Sequence, residues 1–160
     1  MCLMCQGWTR EQVRELYAEQ IEEHGWTTVS VEGGRDRPPM TYTVGLTRFR
    51  DHPELVVSGL APADAVPCLD ELAAHARDGH RYAAGEVITS FGPHRCRLLR
   101  VNDPRRLVFA QEIYGGRGAR VVPGLQVVWS DHAGRWPWDP AWSHDGAQQQ
   151  LFGRPGRRTP

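Results

Sequence analysis

The chain has 160 residues, enough for one ordinary domain, and its 19 basic and 19 acidic residues give a formal net charge of zero. All of the basic residues are arginine. The lack of lysine excludes a Schiff-base lysine, and with it lysine-bound pyridoxal phosphate as a cofactor, and it excludes a Walker-type phosphate-binding loop.

The first half of the chain is predicted to form a helix and then three strands. Thr9 and Gln12 have the spacing of a capping box, which marks the start of the helix, and Gly25 marks its end. Alternating or uniformly apolar sequence then indicates three strands, at residues 26–31, 40–46 and 54–58.

The second half is predicted to form two helices, a hairpin and a last strand. Pro62 suits the first turn of a helix that runs to Arg77 and is ended by Gly79. The elements that follow are a hairpin of residues 86–91 and 95–101, a helix between residues 103 and 115, and a strand over residues 125–130.

The order of these elements, α-β-β-β-α-β-β-α-β, places more strands next to one another than a series of βαβ units would. We therefore expect an α+β fold, a single domain with a mainly antiparallel sheet and about three helices. The domain is expected to span residues 9–142, after an N-terminal Cys-x-x-Cys segment (1–8) and before a flexible C-terminal tail (143–160). The lack of a long apolar run favours a cytoplasmic protein with no membrane contact.

Charge is unevenly distributed along the chain. Residues 1–80 contain 13 acids and 7 arginines, and residues 81–160 contain 6 acids and 12 arginines, so the halves carry −6 and +6. The basic half predicts either a surface that complements the acidic half or a patch for an anionic ligand. No regular basic stripe accompanies it, so nucleic acid is not an expected partner.

Cys2 and Cys5 have the spacing of two ligands of one metal ion, zinc or iron, or of a redox pair. A zinc site needs two further ligands, and no second Cys-x-x-Cys or His-x-x-x-His pattern supplies them. The alternative is an N-terminal segment in which the two cysteines are incidental.

His52 lies where a loop enters the predicted central strand, with Pro53 and Glu54 directly after it. At that position it could act as a general base or a metal ligand, oriented by Glu54 or by Asp131. The alternative is structural, with Pro53 setting the entry to the strand and His52 bonded to a backbone carbonyl.

Four of the six tryptophans fall within 14 residues near the C-terminus: Trp129, Trp136, Trp138 and Trp142. The prolines among them exclude a regular helix or a central strand. The segment therefore either wraps the core as a hydrophobic clamp or lines an aromatic groove. In a groove, Arg135 and Asp131 would add polar contacts beside the rings.

Several short motifs occur together in an order that a known family shares. They are Gly25-Trp26, Tyr42-Thr43-Val44-Gly45-Leu46, His52-Pro53-Glu54-Leu55, Gly59-Leu60, Gln126, Trp129, Asp131, Gly134 and Trp136-Pro137-Trp138-Asp139. Through them the chain resembles, over residues 1–153, a bacterial family of uncharacterised proteins, domain of unknown function 4262. The resemblance implies no activity, but it gives a reason to consider these motifs together.

One cleft could gather the residues placed at strand ends and strand faces, which are Tyr42, His52, Glu54, Trp129 and Asp131. In the first hypothesis the protein is a small ligand-binding domain or an enzyme, with His52 as base or ligand. Tryptophans would wall the pocket, and arginines from the second half of the chain would hold the anionic group of a small anionic or aromatic ligand. The predicted lining residues are Tyr42, Trp129, Arg135, Trp136 and Trp138.

The second hypothesis is a non-enzymatic interaction module. Its Trp-Pro-Trp segment and His-Pro-Glu corner would be structural, and Cys2 and Cys5 would be incidental or would bind structural zinc. The two hypotheses differ in whether another of the named polar groups lies within about 8 Å of His52, since catalytic partners must reach hydrogen-bond distance. We slightly favour the ligand-binding domain.

Overall fold

The structure is a computed structural model that describes residues 3–92, 94–116, 120–143 and 148–156. In these residues the chain forms three α-helices and six strands, in the order predicted from the sequence. The helices are α1 (Arg10–His24), α2 (Pro62–Arg77) and α3 (Val108–Tyr114). The strands are β1 (Thr27–Val31), β2 (Met40–Val44), β3 (Glu54–Ser58), β4 (Val87–Phe91), β5 (His94–Arg100) and β6 (Gly124–Trp129). None of the described helices has the length and apolar character needed to cross a membrane.

The strands form one open, mixed sheet in the order β1-β2-β3-β6-β5-β4. Neighbouring strands are antiparallel except for the central pair β3–β6, in which Glu54 is aligned with Gly124. The α+β class and the mainly antiparallel sheet are thereby confirmed. The parallel pair arises because β6 follows a hairpin and α3, which return the chain to the centre of the sheet beside β3.

The apolar core is divided between the two faces of the sheet. Successive side chains of a strand point to opposite faces, so Leu55 and Val57 pack in the cluster beneath α2, whereas Val56 packs in the cluster beneath α1 and α3. Every residue of β3 is buried, as the uniformly apolar run predicts for a central strand.

Helix α1 begins and ends where the sequence indicates. Thr9 and Gln12 form the reciprocal bonds of a capping box, with the Gln12 N–H donating to Thr9 Oγ1 at 3.2 Å and the Thr9 N–H donating to the Gln12 side chain at 2.9 Å. Gly25 ends the helix with a φ of 95°, a conformation that glycine adopts without strain.

The C-terminal segment of residues 148–153 lies against the sheet, in contrast to the expected flexible tail. The side-chain amide of Gln126 donates to the Gln150 carbonyl and accepts from the Phe152 N–H, both at 2.6 Å. In the same manner the Gln149 amide pairs with the backbone N–H and carbonyl of Trp129, both at 3.0 Å. Phe152 is buried in the cluster beneath α1 and α3. Residues 148–153 are therefore held on the sheet by glutamine amides, which supply the hydrogen bonds that a neighbouring strand would supply.

Replacing Phe152 with alanine tests whether the C-terminal segment is part of the core. A buried phenylalanine truncated to alanine costs about 3–5 kcal/mol, so Phe152→Ala should lower the free energy of unfolding in urea by about 3 kcal/mol. Arg154→Ala, at an exposed position two residues later, is the control and should change stability by less than about 0.5 kcal/mol. Equal stability of both variants would contradict the packing of this segment.

Candidate functional site

The carboxylate of Glu54 is fully buried at the start of β3 and is the centre of a hydrogen-bond cluster. Thr43 Oγ1 donates to it at 2.7 Å, the Gly45 N–H at 2.9 Å, and Thr47 donates through its N–H at 3.2 Å and its Oγ1 at 3.1 Å. Burial raises the pKa of the Glu54 carboxyl, and these donors oppose the rise. Through these hydrogen bonds Glu54 holds the start of β3 to the end of β2.

The turn that follows Gly45 is strained and carries two arginines. Leu46–Arg48 form a short 3-10 helix whose first N–H groups are accepted by Glu54. Arg50 and Asp51 come next, each with a φ of 56°, in the left-handed region that residues other than glycine seldom occupy. Backbone strain of this kind persists only where the surrounding structure enforces it, and it is frequent at functional sites.

His52 is buried, and both nitrogens of its ring have backbone partners. Nδ1 lies 2.6 Å from the Pro53 carbonyl, which can only accept, so Nδ1 carries the proton. Nε2 accepts the Tyr82 N–H at 3.1 Å. Burial lowers the pKa of His52, and the bond to the Pro53 carbonyl opposes the shift. These contacts favour the structural interpretation of His52; its role as a catalytic base stays a prediction.

A cavity of about 340 Å³ borders His52, between the Arg50 turn and the C-terminal end of α2. We call it the basic cavity, because Asp78 is the one carboxylate among its lining residues, against four arginines: Arg48, Arg50, Arg77 and Arg81. Its volume falls within the range of small-molecule sites, about 300–1,000 Å³.

Three of the four arginines are anchored by a contact at the edge of the basic cavity. Arg48 donates to the Ile21 carbonyl at 2.9 Å, Arg77 to Asp78 at 3.0 Å, and Arg81 to the Arg50 carbonyl at 2.8 Å. The guanidinium of Arg50 has no hydrogen bond or ion pair with any described residue. Since a guanidinium has five N–H donors, the group of four retains donors for a ligand.

A second cavity of about 500 Å³ adjoins the basic cavity and shares Asp78 and His80 with it. We call it the polar cavity. Tyr82 Oη lies 3.2 Å from His75 Nδ1, and His80 Nε2 lies 2.9 Å from the Glu86 carboxylate. Burial, with the nearby charges of Glu86 and Glu71, raises the pKa of Tyr82 to about 12, so its phenol stays protonated at neutral pH.

Asp131 lies beyond the end of β6, where its carboxylate organises the following turn. Its oxygens accept the backbone N–H groups of Ala133 (2.9 Å), Arg135 (2.8 Å) and Ser143 (3.1 Å), and the Arg135 guanidinium at 2.8 Å. Burial by itself would raise the pKa of Asp131, but these donors and the charge of Arg135 lower it to about 2. Arg135, predicted to contact a ligand, is thus the ion-pair partner of Asp131.

The tryptophan segment packs against the sheet and lines neither cavity. Trp129 is buried, and its indole N–H donates to the Ser58 carbonyl at 2.9 Å. Trp136 and Trp138 stack on each other with ring centroids 5.6 Å apart, half-buried beside β5. The guanidinium groups of Arg95 and Arg97, both on β5, lie over these rings at 5.6 and 5.9 Å. The contacts favour the hydrophobic clamp over the aromatic groove.

The single cleft expected from the motifs is not formed. Since β3 and β6 run parallel from Glu54 and Gly124, Asp131 lies seven residues further along, about 20 Å from Glu54. Tyr42 and Trp129 belong to apolar clusters on opposite faces of the sheet. The Tyr42 hydroxyl accepts the Phe109 N–H at 3.2 Å and is enclosed in the core. Of the five residues, His52 borders one of the two cavities.

The predicted metal pair is not tested by the structure. Cys2 lies outside the described residues, and Cys5 is exposed in the 3-10 turn Leu3–Gln6. Across the part of the chain that the structure describes, no group of three or more His, Cys, Asp or Glu side chains could hold a metal ion. Zinc or iron binding by Cys2 and Cys5 stays a prediction.

Sequence reasoning missed most of the residues that line the two cavities. His75 and His80 are five residues apart, which suits no single helical face, and they meet because His80 lies beyond the end of α2. The signal available was the arginine pattern: Arg48 and Arg50 directly precede His52, and Arg77 and Arg81 flank Gly79.

Comparison with known proteins identifies a family but no characterised relative. A family model described as Domain of unknown function (DUF4262) matches residues 20–143, which confirms the resemblance over that range. No curated protein and no solved structure matches the chain. The matched range includes every residue that lines the two cavities and ends before the C-terminal segment of residues 148–153.

Replacing His52 with glutamine tests its structural role through pH. Because the folded-state pKa of His52 is lowered, its contribution to stability is present above the unfolded value of about 6.5 and is lost as the pH falls through the folded value. Urea unfolding should show wild-type stability decreasing between pH 7 and 5 more steeply than that of His52→Gln. At pH 7.5 the variant should be less stable by about 1–3 kcal/mol, because a flexible amide replaces the buried ring that bonds both the Pro53 carbonyl and the Tyr82 N–H.

The control for His52 is His24→Gln, at an exposed position at the end of α1, which at pH 7.5 should change stability by less than about 0.5 kcal/mol. Parallel profiles for wild type and His52→Gln would show that the His52 ring is not held neutral by its surroundings.

Replacing Asp131 with asparagine tests the turn at the other end of the sheet. The folded-state pKa of about 2 lies below the ordinary value of about 3.9, so the carboxylate stabilises the protein above pH 4 and this stabilisation is lost as the pH falls through 2. Asp131→Asn should therefore be less stable than wild type at pH 7, and the difference should shrink between pH 4 and 2. Asp36→Asn, in an exposed loop, should show no such convergence in urea unfolding.

Proposed function

The chain belongs to the family Domain of unknown function (DUF4262), and we propose that it is a ligand-binding protein whose basic cavity takes the anionic group of a small molecule. The observation that carries the proposal is the convergence of four arginines on one cavity with a single carboxylate. Like charges gathered in this way repel one another, and a bound anion relieves the repulsion.

The surroundings of Arg50 support the proposal. Its guanidinium has no hydrogen bond or ion pair among the described residues, and its backbone has a φ of 56°. The turn is held in this conformation from both sides, since the Arg50 carbonyl accepts from Arg81 and the His52 N–H donates to the Phe49 carbonyl at 3.2 Å. A strained backbone that presents an unpaired cation suits a preformed anion site.

Guanidinium chemistry indicates which anions the basic cavity would take. Arginine offers planar pairs of N–H donors that match the oxygens of carboxylates and phosphates. The four arginines come from two separate segments of chain that both line the cavity, residues 48–50 and residues 77–81. Donors that approach from two sides suit a tetrahedral phosphate, which accepts hydrogen bonds in several directions, better than a planar carboxylate.

Titration with inorganic phosphate tests the anion site. Phosphate should bind the full chain and shift the amide NMR signals of residues 48–52 and 77–81, more weakly as salt is added. Arg50→Gln should weaken phosphate binding about tenfold, since it removes one charged donor pair. It leaves the strained backbone as it is, because glutamine and arginine have the same preference against a positive φ.

Arg35→Gln is the matched control, because Arg35 is exposed in the loop between β1 and β2 and lines neither cavity. Its phosphate affinity should equal that of wild type. Equal affinity of wild type, Arg50→Gln and Arg77→Gln would place any phosphate binding elsewhere and reject the basic cavity as the site.

A further inference from the structure

We infer that the ligand is a phosphorylated sugar or polyol, with its phosphate in the basic cavity and its hydroxylated body in the polar cavity. The inference rests on the proposed function and extends it to the adjoining cavity. The two cavities meet at Asp78 and His80, which line both, so a single ligand can occupy them together.

The lining of the polar cavity differs in charge from that of the basic cavity. It contains no arginine and has the carboxylates of Asp78 and Glu86 together with His75, His80, Tyr82 and Thr89. Two carboxylates there would repel a second anionic group of the ligand. The lining therefore disfavours a bis-phosphate and suits an uncharged, polar part of the ligand. The contrast between the cavities matches a molecule that is anionic at one end and neutral at the other.

The state of the two carboxylates favours hydroxyl groups over a cation. Asp78 is already paired with Arg77 at 3.0 Å, and Glu86 is bonded to His80 at 2.9 Å and to the Ala83 N–H at 3.1 Å. Each carboxylate therefore has its charge partly met by a neighbour but retains lone pairs that accept hydrogen bonds. Groups in this state bind sugar hydroxyls, whereas an ammonium group would have to compete with partners already present.

The loop between α2 and β4 connects the two cavities, which gives the inference a structural basis. Arg81 faces the basic cavity, and the next residue, Tyr82, lines the polar cavity. The Tyr82 backbone is fixed by His52 and its hydroxyl by His75, so the ring is held in place between the two. Tyr82 is itself buried, so it fixes the loop that joins the two cavities, and the hydrogen-bonding groups around it are left to contact the ligand.

The experiment compares four probes by NMR titration of the full chain: inorganic phosphate, glucose, glucose 6-phosphate and O-phosphoethanolamine. Glucose 6-phosphate should bind at least about fivefold more tightly than phosphate, the gain expected from one net hydroxyl hydrogen bond. It should also shift the amide signals of Val87 and Thr89, which phosphate should leave in place.

Glu86→Gln should abolish this fivefold preference, since Glu86 lines the polar cavity and not the basic cavity. Val87→Trp, at an exposed position in the same lining, should abolish the preference by filling the space without touching the Glu86 contacts. Glu15→Gln, on the exposed side of α1, is the matched control and should retain the preference.

The outcomes separate this inference from the proposed function. If phosphate binds but glucose 6-phosphate binds no better, the polar cavity takes no sugar and the inference fails while the anion site stands. If neither phosphate nor glucose 6-phosphate binds, the proposed function fails and the inference fails with it. Tighter binding of O-phosphoethanolamine than of glucose 6-phosphate would overturn the inference in favour of a zwitterion. A preference that survives both Glu86→Gln and Val87→Trp would place the sugar elsewhere and overturn it too.

Discussion

The Glu54 carboxylate lies in the core, where an unpaired charge would be strongly destabilising, so its oxygens require hydrogen-bond donors. Those donors come from Thr43, Gly45 and Thr47, and to supply them the chain must turn back over the start of β3 immediately after β2. Gly45 makes this possible with a φ of 125°. A Cβ atom there would lie 2.8 Å from the Gly25 carbonyl oxygen and from the Trp26 Cα, so the close approach to this backbone requires glycine at position 45.

The hydrogen bonds to Glu54 fix the turn that carries Arg48 and Arg50. It sets the 3-10 helix Leu46–Arg48, and the strained residues Arg50 and Asp51 bring the chain to His52, whose ring then reaches the Tyr82 N–H across the sheet edge. One histidine thereby connects the turn after β2 with the loop after α2, and the basic cavity is the space between them. Glu54 and His52, predicted as catalytic groups, are in this arrangement hydrogen-bonded to the backbone of the segments next to the four arginines, and a catalytic role for either stays a prediction.

Local sequence signals predicted the elements of the fold, and long-range pairing accounts for what they missed. The capping box at Thr9, the glycine at 25 and the uniformly apolar β3 are features of short segments, and the structure has all three. The parallel pairing of β3 with β6 joins residues about 70 positions apart, and the docking of residues 148–153 depends on the amides of Gln126 and Gln149. Neither the parallel pairing nor the docking of this segment produces a periodic pattern in the sequence. His52 at the edge of a cavity was predictable, but its arginine neighbours were not, because Arg77 and Arg81 join it only through the tertiary fold.

Because the chain contains no lysine, the permanent positive charges that line the basic cavity are all guanidinium groups. An arginine-only chain spreads guanidinium groups over its whole surface, and several of these are neutralised in pairs such as Arg135 with Asp131. Of the four that line the basic cavity, Arg77 is paired with Asp78 and Arg48 lies 3.5 Å from Glu22, whereas Arg50 and Arg81 have no carboxylate partner among the described residues. A guanidinium keeps its charge across the ordinary pH range, so the four arginines supply positive charge that does not change with pH. The second ionisation of a phosphate ligand, near pH 6, is then one source of pH dependence in anion binding.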